Sequence, residues 1–527
     1  MIETEILIVG SGPAGINAAW PLVLAGRNVL MIDADNRSMP ASPNTNIALF
    51  RNHPHRWKHC LGEDLGGLFT QGDYSPKLAT PLGRAVIAAG NSAHPEVRSN
   101  NFIVMRSATP GGLSGIWGGV CSAYDSLDMS SFPISSAEMA QAYIDVAQRI
   151  GISGSNDHLA NFHGANLPLQ DPVPLTAPAS HLLRRYLTCV APKEFSLGLA
   201  RNAVITKKHN QREECNQCGL CLLGCARKSI YNSADELTAL KQHANFSYMS
   251  GAPVKRLISM GGDIQLIEIN GNETIKAKRL LLAAGTINTT AMILEYAGMF
   301  GTKLRALSNP VAGMAFVVPR LIGNILQPNS FSLGQLSYRL SLKQENEYAT
   351  GVIYGADTLP LDVFARRMPF SRPLAMRLSA ALATGLMPVT AYLPGRYSMN
   401  NLSLEKRESG VEIVLDGQIT NETKKQLQHV GKRLGKILRR YGAYLVPGSL
   451  TISPPGSDAH LVGTIPMGGQ GKLSCSNTCE LNIAPGVHII DGSWFPNLPS
   501  KHCTFTIMAN AYRIGGILAE QLRTKHN

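Results

Sequence analysis

The chain has 527 residues, of which 44% are hydrophobic and 16% are charged. This predicts a globular protein with a large core and excludes a disordered chain or a small disulfide-stapled scaffold. The net charge is +13, but the basic clusters lack the interleaved aromatic residues of a single-stranded nucleic-acid groove, so we expect no nucleic-acid partner. No signal peptide precedes the first strand, and glycine and proline interrupt the most apolar run, 378–395. We therefore expect a cytoplasmic protein, with export alongside a partner subunit left open.

The first thirty-five residues carry the strongest signal. A predicted strand at 5–9 leads directly into Gly10-Ser11-Gly12-Pro13-Ala14-Gly15, a helix is predicted at 16–25, and a second strand at 28–32 ends at Asp33. Glycines in this strand–turn–helix setting form a dinucleotide fingerprint: Gly10 permits the turn, Gly12 lets a pyrophosphate approach, and Gly15 allows close packing. Asp33 has the spacing of a ribose-hydroxyl acceptor. The motif alone does not distinguish FAD from NAD.

A glycine-rich segment around Trp117 is the next candidate. Its residues of interest are Gly111, Gly112, Ser114, Trp117 and Gly118. Glycines at this density indicate backbone pressed against a flat object, which favours a flavin ring over an ordinary glycine-rich turn.

Four cysteines then fall within eleven residues, Cys215, Cys218, Cys221 and Cys225. The spacing C-x2-C-x2-C-x3-C is typical of iron–sulfur ligands in bacterial ferredoxins, although Ala226 stands where proline is usual and no second run follows. Structural zinc and reduced loop cysteines are the alternatives.

Strand patterns continue through the rest of the chain. A hairpin is predicted from 252–260 and 263–269, and a buried strand from 279–286 precedes a helix through Tyr296. Alternating residues at 332–342, 348–356, 401–406 and 410–415 predict an antiparallel sheet. His460 and His502 lie in Gly/Pro-rich turns on either side of a predicted strand at 487–490, which favours a site over two unrelated structural histidines.

Taken together, these motifs resemble the glucose–methanol–choline (GMC) family of FAD oxidoreductases. The resemblance is carried by the fingerprint, the Gly111–Trp117 loop, the end of the 279–286 strand, His460-x-x-Gly463-Thr464-x-x-Met467-Gly468, and Asp491-Gly492-Ser493 before Pro496. It implies an α/β chain (α+β overall) with a Rossmann-like FAD-binding domain and a discontinuous substrate domain on an antiparallel sheet. The expected boundaries are 1–125, 201–300 and 451–527 for the FAD-binding domain, 126–200 and 301–450 for the substrate domain, and 213–227 for a Cys-rich insertion.

The resemblance also implies site roles. It places FAD rather than NAD at the fingerprint, with Val254, Ala284, Gly285, Asp491, Gly492 and Thr504 at the cofactor. Because Ile116 stands where covalently flavinylated relatives have histidine, FAD should bind non-covalently. His460 would be the general base that takes the alcohol proton while hydride passes to flavin N5, and His502 would orient the hydroxyl.

The cysteine run resembles that of bacterial sugar dehydrogenases related to fructose and FAD-glucose dehydrogenases, with Cys218 additional. A three-iron or a four-iron cluster would then pass single electrons to a quinone or an acceptor protein. Our first hypothesis is therefore an FAD/iron–sulfur dehydrogenase acting on an alcohol, most simply a sugar hydroxyl. The alternatives are an oxidase using O2 with structural cysteines, and a non-catalytic electron-relay flavoprotein subunit.

Two basic clusters bear on partners. Seven basic residues lie on one predicted helix, Lys424, Lys425, Lys432, Arg433, Lys436, Arg439 and Arg440. A solvated face on a core-packed helix is the favoured interpretation, and attraction to an anionic substrate, lipid surface or acidic partner is the alternative. The second cluster, Arg366, Arg367, Arg372 and Arg377, indicates membrane-surface contact and a buried helix with basic flanks equally well.

Overall fold

The structure is a computed structural model. It describes the chain except for residues 38, 69–75, 92–94, 165, 260–264, 271–272, 344–345, 360, 362–364, 366–367, 409 and 525–527. Two arginines of the second basic cluster, Arg366 and Arg367, and the Gly261-Gly262 turn of the predicted hairpin therefore lie outside the described residues.

The described strands follow one another in chain order. They are Ile2–Val9 (β1), Val29–Ile32 (β2), Glu96–Asn100 (β3), Ile152–Ser153 (β4), Leu169–Gln170 (β5), Phe195–Leu199 (β6), Phe246–Met249 (β7), Val254–Ser259 (β8), Gln265–Ile269 (β9), Thr274–Leu282 (β10), Leu304–Ala306 (β11), Val311–Val317 (β12), Gly334–Ser341 (β13), Tyr348–Tyr354 (β14), Leu386–Tyr392 (β15), Asn400–Arg407 (β16), Gly410–Asp416 (β17), Tyr444–Leu445 (β18), Thr451–Ile452 (β19) and Val487–Ile489 (β20).

The described α-helices are interspersed with these strands. They are Pro13–Leu24 (α1), Ile47–Asn52 (α2), Arg56–Leu61 (α3), Pro76–Ala79 (α4), Pro81–Asn91 (α5), Ser136–Ile150 (α6), Ala160–His163 (α7), Ala177–Thr188 (α8), Ser233–Leu240 (α9), Thr286–Tyr296 (α10), Arg372–Ala383 (α11), Asn421–Arg440 (α12) and Thr504–Thr524 (α13).

The first sheet holds the fingerprint. Its strand order is β7-β2-β1-β10-β9-β8, and β20 also pairs with β10. Strands β7, β2, β1, β10 and β20 run parallel, whereas β8 and β9 form the predicted antiparallel hairpin. Ile6, Leu7 and Ile8 are fully buried, because helices cover a parallel sheet on its faces and both sets of side chains must be apolar.

A second seven-stranded sheet is antiparallel. Its order is β18-β12-β15-β14-β13-β6, with β19 paired to β12. The strands predicted at 332–342 and 348–356 appear as β13 and β14, and those at 401–406 and 410–415 appear as β16 and β17. The fold class predicted from the sequence is confirmed.

The third sheet, in the order β11-β16-β17-β3, joins segments that the sequence assigned to different domains. Strand β3 comes from 1–125 and pairs in parallel with β17 from 301–450. The domain boundaries themselves stay a prediction. Helices α2 to α5 lie within residues 36–100.

Helix α12 carries the first basic cluster. Leu427, Val430, Leu434 and Leu438 are buried in the apolar cluster of the second sheet, which supports the interpretation of a core-packed helix with a solvated basic face. Among the helices that the structure describes, none is both long and apolar enough to cross a membrane.

Candidate active site

A cavity of about 650 Å³ opens beyond the carboxyl ends of β1, β2 and β10, where parallel sheets bind dinucleotides. Most of the predicted cofactor residues line it: Gly10, Gly12, Pro13, Ala14, Asp33, Gly112, Ser114, Trp117, Gly118, Val254, Ala284, Gly285, Asp491, Gly492 and Thr504. Gly15 and Gly111 are not on its wall. Both candidate histidines also line the cavity, so one space joins the fingerprint to the predicted reaction site.

The fingerprint is shaped to admit a phosphate. Among the described residues, no side chain caps α1 and no atom lies within 4 Å of the place where a Cβ on Gly12 would be. The first N–H groups of the helix therefore face open space at its positive end. Gly10 has φ +105°, and a Cβ on Gly15 would lie 1.9 Å from the Gly10 carbonyl oxygen. These positions exclude side chains, so the residues present fit the pyrophosphate of FAD.

Asp33 ends β2 at the cavity wall and is buried. Its carboxylate accepts hydrogen bonds from the Ser11 N–H at 2.8 Å, the Ser11 hydroxyl and the Tyr248 hydroxyl at 2.8 Å. Burial raises the pKa of Asp33, and these bonds oppose the rise. A carboxylate has about four lone-pair sites, so one remains for a ribose hydroxyl.

The Trp117 loop is held in place from behind. Gly111 and Gly112 have φ +81° and +56°, and a Cβ on Gly111 would lie 2.8 Å from the Ala234 Cβ at the start of α9. The Ser114 hydroxyl donates to the Gly111 carbonyl at 2.6 Å, and the Trp117 indole N–H donates to the Tyr231 carbonyl at 2.7 Å. The loop is thus a rigid wall against which a flat ring can lie.

The two histidines meet although 41 residues separate them in the sequence. His460 lies between β19 and β20 and His502 lies just before α13, with ring centroids 5.2 Å apart and ring planes at 84°. Tyr392, at the end of β15, lies 5.9 Å from the first ring and 5.2 Å from the second. Burial lowers the pKa of His502 to about 4 and that of His460 well below its usual value. Both imidazoles are therefore neutral near pH 7, as a general base requires.

His460 has partners on the side of its Nδ1 atom. Nδ1 lies 2.9 Å from Oδ1 of Asn309 and 3.6 Å from Oδ2 of Asp458. Asp458 also lines the cavity, and burial raises its pKa to about 7. Near neutral pH this carboxyl group is poised between its neutral and charged forms.

Sequence reasoning missed several residues of the site: Tyr392, Asn309, Asp458 and Lys501. Lys501 is buried and pairs with Asp125 at 3.1 Å and with Asp128, so its ion pairs fix the backbone next to His502. A signal existed only for Asp458, which lies two residues before His460; nothing in a single sequence brings Asn309 or Tyr392 to the same place.

The predicted metal ligands do not form a metal site. Within the part of the chain that the structure describes, no group of three or more His, Cys, Asp or Glu side chains is arranged to hold a metal ion. Cys221 and Cys215 pack into an apolar cluster with Phe331 and Leu333, whereas Cys218 packs into another with Ile47 and Phe50. The prediction of an iron–sulfur ligand set of Cys215, Cys218, Cys221 and Cys225 is therefore not supported.

The protonation of these thiols is consistent with that packing. Burial raises the pKa of Cys215 to about 11, that of Cys221 to about 12, and that of Cys218 above its ordinary value. Metal ligands need thiolates, so a metal ion bound here would have to displace these protons.

Part of the chain that lines this cavity matches a known protein family. Residues 397–511, which include His460, Asp491 and His502, match the model of the GMC oxidoreductase family. The chain is 24% identical to paromamine 6'-oxidase of Streptomyces fradiae, over 99% of this chain and 92% of that protein. It is 22% identical to 6'''-hydroxyparomomycin C oxidase of Streptomyces lividus, over 98% and 92%. Among solved structures it resembles pyridoxine 4-oxidase from Mesorbium loti, with a TM-score of 0.57, 13% identity and 99% of each chain covered.

The fold and the matched domain define a class of protein, the oxidoreductases that build a dinucleotide cavity against an antiparallel sheet. The GMC family predicted from the motifs is confirmed for residues 397–511, which match the GMC oxidoreductase model. The narrower resemblance to iron–sulfur sugar dehydrogenases stays a prediction, and the activities in the names above are those of the relatives.

Proposed function

We propose that this protein is an FAD-dependent oxidase that converts the hydroxyl group of a sugar-like small molecule into a carbonyl group. The observation that carries the proposal is the cavity itself. It runs from an uncapped helix N-terminus shaped for pyrophosphate to two neutral, facing imidazole rings. A dinucleotide at the fingerprint would therefore have its reactive end near the histidines.

The chain's own groups supply the acid–base part of the reaction. FAD, when bound, accepts the hydride, and the protein contributes position and electrostatics. His460 takes the hydroxyl proton, since a neutral alcohol is a poor hydride donor and an alkoxide is a good one. His502 donates to or accepts from the same oxygen and orients it. One proton goes to the imidazole, the hydride leaves the carbon, and a C=O bond forms.

The relatives' names support a sugar-like substrate, because two of them are oxidases of paromamine and of a hydroxylated paromomycin. The net charge of +13 instead favours an anionic sugar. A panel that pairs neutral, amino and phosphorylated sugars of one stereochemistry separates these preferences.

Dioxygen is the acceptor that the comparisons favour, because the compared relatives are named oxidases. Among the described residues, no metal-binding group supports a one-electron relay through the cysteine run. The purified protein should form peroxide in proportion to alcohol oxidised. Quinone- or dye-dependent turnover without peroxide would contradict the choice of acceptor.

The proposal is tested by anaerobic reduction of the bound flavin with a reactive alcohol. His460→Asn should lower the rate constant of flavin reduction at least about 100-fold, because the base is lost, while flavin content stays unchanged. The matched control is His429→Asn, which replaces a half-buried histidine of α12 that does not line the cavity. Unchanged reduction in His460→Asn would refute the proposed function.

A further inference from the structure

Asn309 is a fully hydrogen-bonded, buried residue between β11 and β12. Its backbone N–H donates to Oδ2 of Asp458 at 2.6 Å. Its side-chain Nδ2 donates to the carbonyl oxygens of Leu393 and Pro499, both at 2.9 Å. Its Oδ1 lies 2.9 Å from Nδ1 of His460.

These contacts allow only one orientation of the Asn309 amide. An amide NH₂ group is a double donor and an amide oxygen is an acceptor. If the amide were flipped, its oxygen would face two carbonyl oxygens, and three acceptors would meet in a buried site at a cost of a few kcal/mol. Nδ2 must therefore point to Leu393 and Pro499, and Oδ1 must point to His460.

The orientation of Asn309 decides where His460 carries its proton. Since Oδ1 can only accept, the hydrogen of the neutral imidazole has to be on Nδ1. The lone pair is then on Nε2, the only ring nitrogen left for the substrate proton. We propose that Asn309 is the positioning residue of this active site, which fixes the Nδ1–H tautomer of His460 and leaves Nε2 free as the base.

The same amide also sets the spacing of the site. Leu393 follows Tyr392 directly, and Pro499 lies three residues before His502. Asn309 thus joins the three chain segments that supply Tyr392, His460 and His502. A shift of any one segment would lengthen a hydrogen bond to this side chain.

The carboxyl group of Asp458 lies next to the hydrogen-bonded pair of Asn309 and His460. When His460 takes a proton on Nε2 it becomes an imidazolium ion whose Nδ1–H still donates to Asn309, 3.6 Å from the Asp458 carboxylate. The other titratable groups whose rings contact His460 are His502 and Tyr392. The positive charge that develops on His460 therefore lies close to the Asp458 carboxyl group, which the Asn309 N–H holds in place.

This inference rests on the proposed role of His460 as base, and its first test needs no turnover. Nitrogen NMR of histidine-labelled protein distinguishes a protonated Nδ1 from a protonated Nε2. In the wild-type protein we expect His460, identified by its absence in His460→Asn, to show Nδ1 protonated and Nε2 unprotonated. A spectrum with Nε2 protonated would overturn the inference.

Two variants test the consequence for chemistry. Asn309→Leu keeps the side-chain size but removes every side-chain hydrogen bond, so we expect a mixture of tautomers and a rate constant of flavin reduction lowered about 100-fold or more. Asn309→Asp keeps an acceptor for Nδ1–H, and its second oxygen has to carry a proton to face the carbonyl oxygens of Leu393 and Pro499, so this variant should retain the tautomer and most of the wild-type rate of flavin reduction. An Asn309→Asp protein that loses as much rate as Asn309→Leu while its His460 spectrum shows the wild-type tautomer would contradict the inference.

Asn202→Leu is the matched control. Asn202 is also buried and donates from Nδ2 to two carbonyl oxygens, those of Ala200 and Gly334. It should lose stability like Asn309→Leu but keep the wild-type pH profile and His460 spectrum. If His460→Asn abolishes flavin reduction while Asn309→Leu reacts at the wild-type rate, the inference fails and the proposed function stands; if His460→Asn remains active, the proposed function fails first.

Discussion

At the scale of single residues, the site is defined by polar groups that the protein interior makes neutral. Burial lowers the pKa values of His460 and His502 and raises that of Asp458 to about 7. Removing a charge from water is costly, so buried bases lose protons and buried acids keep them. Near physiological pH the base is thereby neutral, and the neighbouring Asp458 carboxyl group is poised between its neutral and charged forms.

Asp458→Asn should make stability less sensitive to a rise in pH from about 4 to about 7. The folded-state pKa of Asp458, about 7, lies above its usual value of 3.8, so the native state binds more protons than the unfolded state between these values. Wild-type stability from this group therefore falls as pH rises from about 4 through 7, by up to about 4 kcal/mol. Measured from pH 5 to 9, the melting temperature of the variant should increase relative to that of the wild type as pH rises. A constant difference across that range would show that Asp458 titrates normally.

His502→Ala should cost more than His502→Asn. An asparagine can still donate to or accept from the substrate oxygen, whereas alanine cannot. We expect flavin reduction to fall about 10-fold in the asparagine variant and about 100-fold or more in the alanine variant. Stopped-flow reduction under anaerobic conditions measures both, and equal losses would argue that the ring itself is needed as a second base.

At the scale of elements, the crossing of α1 and α13 supports the phosphate site. A Cβ on Gly515 would lie 2.4 Å from the Ala18 carbonyl oxygen and 2.7 Å from the Pro21 Cγ. The two helices therefore approach closely only because this position has no side chain. Since α1 presents its free N–H groups to the cavity, its placement on α13 affects where a pyrophosphate would bind.

Gly515→Ala should lower the free energy of unfolding by about 1–3 kcal/mol, because the helices must separate to admit the methyl group. It should also weaken FAD binding. Gly516→Ala is the matched control, since among the described residues no atom lies within 4 Å of its added Cβ; it should be neutral or stabilise by up to about 1 kcal/mol. Chemical denaturation and flavin titration of the pair check this, and equal behaviour of the two variants would contradict the packing argument.

The elements also show how much of the structure could be predicted from the sequence. Strong local patterns predicted the fingerprint, the hairpin and the antiparallel strands. The cysteine spacing predicted a metal-ligand set that the structure does not support, since spacing describes which ligands can converge and neighbouring apolar residues also decide where each thiol packs. The positioning role of Asn309 could not be predicted, since it depends on carbonyl groups that are close only in the folded chain.

At the scale of the whole molecule, residues from distant parts of the chain line one cavity. Asp33, Trp117, Ala284 and Asp491 line the same space, so a ligand there contacts segments from both ends of the chain and its middle. Binding to the native state alone stabilises a protein by mass action.

Removal of FAD should therefore destabilise the entire protein. At FAD concentrations about 100-fold above the dissociation constant, the stabilisation is about 2.7 kcal/mol. The melting temperature of stripped protein should be lower by several degrees and should recover on titration with FAD but not with NAD. Equal recovery with NAD would contradict the assignment of the cofactor.

The pairing of β20 with β10 and of α13 with α1 also dictates the order of events during biosynthesis. The phosphate-binding turn leaves the ribosome about 490 residues ahead of His502 and the helix that braces α1. At about 5–20 residues per second, that gap lasts roughly 25 to 100 seconds. The pocket stays unfinished for this interval, and the cofactor can be captured tightly only after His502 and α13 emerge.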